Sequence, residues 1–236
     1  MSDEDSWRVI VIGGHTRTIG KTQLVCDLIA ALPEANWVAG KITQYGHGVC
    51  TRNGKQCDCA PDEHICAITW EARGDTGTDS ARFLAAGAAR SFWLRTKQGF
   101  LPEGFPLLRA ALREAAATAG NGGPGNLILE SNTLLQFLTP SLYLMVVDPG
   151  KSDFKHSARL QIERASAVVW RRTLAEACSG PEGAEHWSGL PLEGLRLKPQ
   201  FLQREGEGLP SGLTHAVRAV LEPDSANLGA NRGITI

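Results

Sequence analysis

The stretch VIVIGGHTRTIGKTQLV, residues 9 to 25, decides how the rest of the chain is read. Residues 8 to 12 (RVIVI) are a β-branched run ending in Gly13-Gly14, the pattern of a strand buried on both faces. From Lys21 the apolar residues fall at 24, 25, 28, 29 and 32, one face of a helix that Pro33 stops. Between strand and helix stand Gly20, Lys21 and Thr22. Phosphates need backbone N–H groups, and the first turn of a helix offers several at its positive end. Gly20 lets the backbone approach closely, Lys21 reaches the β- and γ-phosphates, and Thr22 offers a hydroxyl to Mg²⁺. The expected contacts to ATP or GTP are therefore Gly14, Thr16, Arg17, Thr18, Ile19, Gly20, Lys21, Thr22 and Gln23. The competing reading is a plain strand-to-helix turn with an exposed lysine. Five residues separate Gly14 from Gly20 where the usual phosphate loop has four, so His15 stands where a glycine is customary.

The bulk composition narrows the class. The chain has 236 residues, 42% hydrophobic and 21% charged, with a net charge of −1. That is enough chain for one large α/β domain, and the mixed charge gives no basic face for nucleic acid. No apolar run approaches the ~18 residues needed to cross a bilayer, so no membrane partner is expected. MSDEDSWR at the N-terminus lacks a basic and an apolar region, unlike a secretory signal. A cytoplasmic location is expected, where six cysteines read as thiols or metal ligands rather than disulfides.

Strands alternate with helices beyond the loop. Strands are expected at 37–42, 91–96, 127–130, 142–148 and 166–170, and helices at 78–89, 106–119, 155–165 and 211–221. Pro106 and Gly120 mark the start and stop of the third of these helical runs, counting the one after the loop. The alternation predicts a mostly parallel β-sheet with helices on both faces. Residues 1–171 are read as the nucleotide-binding domain and 172–236 as its extension, in which only the last helix is distinct. Residues 43–66 are read as a long functional loop.

Chemistry at a phosphate loop needs more than the loop. Lys41 ends the second strand, at the edge where ligands gather in open parallel sheets. Asp75, Asp79 and Arg82 lie in GDTGTDSARFLAAGA, with Asp79 and Arg82 three apart on one helix face. Glu130 ends the strand LILE, within reach of a bound ion. Plainer roles are open to each: Lys41 as a solvated strand end, Asp79 as a helix cap, Glu130 as an ordinary strand terminus. Asp148, in VVDPGKSDFKHSA, is a further candidate.

These residues carry a resemblance. Gly14 to Thr22 resembles the loops of dethiobiotin synthetases and cobyrinate amidating synthases, which also have five residues between the glycines. DTGTDSARFLAAGA resembles the D-x-P-G-K-D-S-x-R-x-x-x-A-G-A segment of the molybdopterin-guanine dinucleotide biosynthesis adaptor (MobB) family. The order of loop, lysine-bearing strand, this segment and a strand ending in Glu is similar too, over roughly residues 8 to 150. The resemblance implies a P-loop NTPase fold of the SIMIBI-like kind. It implies that Thr22, Asp79 and Glu130 surround Mg²⁺ and that Lys41 faces the γ-phosphate or a second substrate. It makes Lys21, Lys41, Asp79 and Glu130 the catalytic set. The implied partners are a cofactor-biosynthesis enzyme and a second copy of the chain. The sequence departs from these families after Glu130, where Ser131-Asn132 replaces Gly-Phe or a diglycine. VVDPGKSDFKHSA resembles the stretch before the base-recognition loop of metallochaperone GTPases, yet Trp170-Arg171-Arg172-Thr173 stands where Asn-Lys-x-Asp would follow. Guanine specificity is not readable.

The segment GHGVCTRNGKQCDCAPDEHIC holds Cys50, Cys57, Cys59 and Cys66, with His47 and His64 nearby. Thiolates and imidazole suit tetrahedral zinc, with an iron–sulfur cluster as the second choice. Redox-active or buried thiols are the competing readings. The loop sits where segments that sense the γ-phosphate lie in P-loop proteins. Three functions follow: an NTP hydrolase assisting cofactor or metal-centre assembly, an ATP-dependent ligase that activates a carboxylate or carbamate, and a non-catalytic nucleotide-binding module.

Overall fold

Val9, Ile10, Val11 and Ile12 are all fully buried, as a strand covered on both faces requires. They belong to β1 (Trp7–Gly14), which lies between β5 (Gly125–Glu130) and β6 (Leu142–Val147). This computed structural model describes residues 7–46, 64–119, 125–173, 176 and 192–222. Among them the remaining strands are β2 (Val38–Tyr45), β3 (Cys66–Trp70), β4 (Arg90–Lys97), β7 (Ala167–Trp170) and β8 (Gln200–Leu202). The order across the sheet is β3-β4-β2-β5-β1-β6-β7-β8. Every neighbouring pair is parallel except β3–β4 at one edge. The fold is α/β, with a mostly parallel sheet.

Alternate residues of β1 feed two separate cores. Val9 and Val11 pack with Leu108 and Leu112 of α3 (Leu101–Ala119), along with Leu129, Met145 and Ile162. Ile10 and Ile12 pack instead with Leu24 and Leu28 of α1 (Lys21–Ala31) and Phe83 of α2 (Asp79–Ala85). Leu213 and Val217 of α6 (Ser211–Leu221) join this second core. Two further short helices among the described residues are α4 (His156–Arg159) and α5 (Leu192–Arg196). Helices therefore cover both faces, and the carboxyl ends of β1, β2 and β5 share one edge of the sheet. None of the described helices is long and apolar enough to cross a membrane.

Several expected boundaries need correction. The second strand continues to Tyr45, because its whole length pairs with β4 as far as Lys97. The segment expected as loop at 43–66 therefore begins in β2 and ends at Cys66, the first residue of β3, a five-residue edge strand that pairs antiparallel with β4. Helix α3 starts at Leu101, not at Pro106. Buried Leu101 anchors that earlier turn, and Pro106 forfeits one rung near the N-terminal end rather than opening the helix. The expected helix 78–89 ends at Ala85, where the chain turns into Gly87 at φ 107°. The expected helix 155–165 is α4 followed by a separate 3₁₀ turn, Ile162–Arg164. Beyond residue 172 the chain adds α5 and β8, and β8 extends the sheet beside β7.

Candidate functional site

The loop from Gly14 to Gly20 is held open by its carbonyls. The Gly14 carbonyl accepts from Asn132 Nδ2 at 2.8 Å, and that of His15 from the Lys155 backbone N–H at 2.8 Å. Lys21 Nζ donates to the Thr16 carbonyl at 2.9 Å, and Thr18 Oγ1 to that of Arg17 at 2.8 Å. Lys151 Nζ reaches the Thr18 carbonyl at 2.8 Å. Arg171 donates to Ile19 through Nε at 3.1 Å and to Gly20 through Nη2 at 2.6 Å. All seven carbonyls thus have donors. The Gly14 and His15 N–H groups are bonded to Asn132 Oδ1 and the Val146 carbonyl. Among the described residues, no acceptor lies on the N–H groups from Thr16 to Thr22. A run of unpaired N–H groups ahead of a helix is an anion-binding concavity.

Local conformation follows from residue type. Gly20 sits at φ 84° as the residue before α1, and a Cβ there would meet the Arg171 guanidinium at 2.7 Å. Gly13 faces the Tyr143 hydroxyl, 2.6 Å from where a Cβ would stand. Only glycine meets both demands. His15, in the unusual extra position, is fully buried and packs against Phe154 at 5.1 Å between ring centroids. Burial pulls its imidazole down to about 4, so the ring is neutral at pH 7. Thr16 Oγ1 donates to Asp153.

Cations surround this concavity. Burial, partly countered by the Glu130 carboxylate, pulls the Lys21 ammonium below its ordinary value. Burial, helped by the charges of Lys21 and Arg17, brings Lys155 down to about 8. Desolvated ammonium groups this close together gain most from a bound anion.

Next to the loop, four predicted residues come together. Thr22 Oγ1 donates to Glu130 Oε2 at 2.7 Å. Lys41 Nζ lies 2.7 Å from Glu130 Oε1 and 2.6 Å from Asp79 Oδ2. Glu130 is 4% exposed, the Lys41 side chain 16% and that of Asp79 41%. Strand register produces the contact, since Lys41 and Glu130 are paired residues of β2 and β5. Burial disfavours the Lys41 charge, but Glu130 and Asp79 outweigh it and hold the ammonium above its ordinary value. The cap of α2 is Thr78, whose Oγ1 accepts from the Ala81 N–H at 3.0 Å, leaving Asp79 available to Lys41. Arg82 stands 3.9 Å from Asp79 and donates to Gln23 Oε1 at 2.8 Å.

Other candidates lie apart from this cluster. Asp75 pairs with exposed Arg73. Asp148 is buried and bound by Arg172 at 2.6 Å and by the Gly150 N–H at 3.0 Å. His47, Cys50, Cys57 and Cys59 lie outside the described residues. Cys66 Sγ donates to the Glu103 carbonyl at 3.4 Å, and burial raises its thiol. The His64 carbonyl accepts from Tyr45 Oη at 2.7 Å. Among the described residues no three His, Cys, Asp or Glu side chains gather as a metal-holding set.

The expected site did not include Asn132, Lys151, Lys155 or Arg171. Their only signal in the sequence is position: Asn132 two residues past Glu130, the two lysines after Asp148, and Arg171 where a base-recognition motif would follow. No family model matches the chain, and no curated protein matches it. Among solved structures, the crystal structure of HypB from Helicobacter pylori in complex with nickel is similar at 15% identity. The match has a TM-score of 0.48 and covers 98% of this chain and 92% of that one.

Proposed function

We propose that this chain is a P-loop protein that binds a nucleoside triphosphate, ATP or GTP, with Mg²⁺ and hydrolyses it to assist cofactor or metal-centre assembly, in the manner of the MobB family. The observation carrying this reading is the loop in which every carbonyl from Gly14 to Gly20 is bonded away, leaving the N–H groups from Thr16 to Thr22 for phosphate oxygens. Lys21 supplies the buried positive charge beside them.

The donor set beside the loop suits Mg²⁺, which takes oxygen ligands. Thr22 offers a hydroxyl, and Glu130 and Asp79 offer carboxylates now neutralised by Lys41. We assign these three side chains to the ion, which would supply positive charge to offset that developing on the phosphates. Lys41 then moves its charge toward the γ-phosphate or a second substrate. The proposed partners are a cofactor-biosynthesis enzyme and a second copy of the chain. The cysteines at 50, 57, 59 and 66, with His64, are proposed ligands of zinc or an iron–sulfur cluster; Cys66 has to give up its Glu103 contact to serve.

Phosphate release separates this from the alternatives. Turnover of ATP or GTP without another substrate is the expected result. Strict dependence on an added carboxylic acid would favour a ligase, and no release under either condition a binding module.

A further inference from the structure

We infer that Arg171 is a positioning residue of the phosphate loop, through which the segment around β8 becomes part of the nucleotide site. The inference rests on the proposed nucleotide reading and extends it to a residue that contacts no phosphate.

The guanidinium uses its donors on three places at once. Nε and Nη2 hold the carbonyls of Ile19 and Gly20, the last two before α1. Nη1 donates to Gln203 Oε1 at 2.8 Å and to the Gln203 carbonyl at 3.3 Å. Gln203 is buried, and its Nε2 donates to Asp27 Oδ2 at 2.8 Å. Asp27 Oδ1 accepts from Gln23 Nε2 at 2.7 Å, within α1 itself. A rigid planar fork is thus fixed at its far end by Gln203 and at its near end by the loop.

The geometry explains why this matters for binding. Peptide planes carry the N–H opposite the C=O, so holding the Ile19 carbonyl outward turns the Gly20 N–H inward. Arg171 shares the Gly20 carbonyl with the Leu24 N–H (2.9 Å), and together they fix the Lys21 N–H. Those two N–H groups stand at the entry to the helix, where the backbone dipole favours an anion most. The guanidinium also lies against Gly20, filling the space a side chain would need. Lysine could reach one carbonyl but could not span two while holding Gln203. Pre-setting the loop removes an ordering cost from nucleotide binding.

The test uses the whole chain as wild type, Arg171→Ala, Arg171→Lys and Gln203→Ala. Calorimetry measures affinity for Mg²⁺ with ATP, GTP and pyrophosphate, and hydrogen exchange follows the backbone amides of residues 14–23 without ligand. Arg171→Ala is expected to weaken binding by about 10- to 100-fold, the scale of one charge-assisted hydrogen bond. Its loop amides should exchange faster while those of β1 and β5 keep wild-type rates. Arg171→Lys should recover part of the affinity, and Gln203→Ala should fall between it and the wild type. Wild-type affinity together with unchanged loop exchange in Arg171→Ala overturns the inference. If the wild type binds no nucleotide, the proposed function fails by itself. Faster loop exchange in Arg171→Ala then still upholds the positioning role, and unchanged exchange refutes it.

Discussion

Lys41 and Glu130 are register partners on adjacent parallel strands, and their side chains close to 2.7 Å at the carboxyl edge of the sheet. Removing the ammonium leaves buried Glu130 without its ion-pair partner, with only the Thr22 hydroxyl and the longer-range charge of Lys21 beside it. Lys41→Met is therefore expected to destabilise the fold at pH 7 by about 2–4 kcal/mol, reduced by the partial exposure of Asp79. Because the Lys41 value is raised on folding, its contribution is complete below the unfolded value of about 10.4 and fades as pH climbs through the folded value. Urea titrations at pH 7 and 11 should show the gap between wild type and variant narrowing at the higher pH.

His15 makes the opposite prediction about acid. Its folded value is lowered to about 4, so the stability it contributes is present above the unfolded value near 6.5 and is lost as pH falls toward 4. Over that window the wild type should lose about 3 kcal/mol more than His15→Phe, which keeps the aromatic contact with Phe154. Parallel acid-unfolding curves for the two proteins would refute this.

Asn132 clamps both backbone groups of Gly14. Asn132→Leu should cost about 2–3 kcal/mol in unfolding free energy, since a buried donor and acceptor lose their partner together. It should also weaken nucleotide binding, because the first peptide of the loop is released. A melting temperature equal to the wild type would show that the clamp contributes nothing.

The cysteine segment is tested by its metal content. Elemental analysis of the purified protein should find zinc or iron, lost when Cys57 and Cys59 are changed to Ser. A wild type without metal, or a double variant that keeps it, removes the proposed cluster.

Residues that lie in one local pattern were legible in the sequence. The run VIVI followed by Gly20-Lys21-Thr22 specifies strand, loop and helix within 20 residues, and local periodicity carries that much. Lys41 and Glu130 could be placed at strand ends, and parallel pairing then brings them together. Asn132 and Arg171 could not be foreseen. Their loop contacts span 118 to 152 positions and depend on which loop folds back over Gly14 or Gly20. Strand β8 was hidden for another reason: Gln200–Leu202 is too short to show a period, and its pairing with β7 decides its conformation. The early start of α3 was masked by Pro106, whose usual place is a first turn. Buried Leu101 outweighs that preference.

The decisive measurement of nucleotide binding is calorimetry of Mg²⁺ with ATP or GTP on the wild type and on Lys21→Ala, with circular dichroism confirming that both are folded. The wild type is expected to bind at least one nucleotide in the micromolar range, and the variant to lose about 100-fold or more, the scale of a desolvated charge contact. Equal affinity in the two proteins, or no binding by a folded wild type, would contradict the proposed nucleotide site.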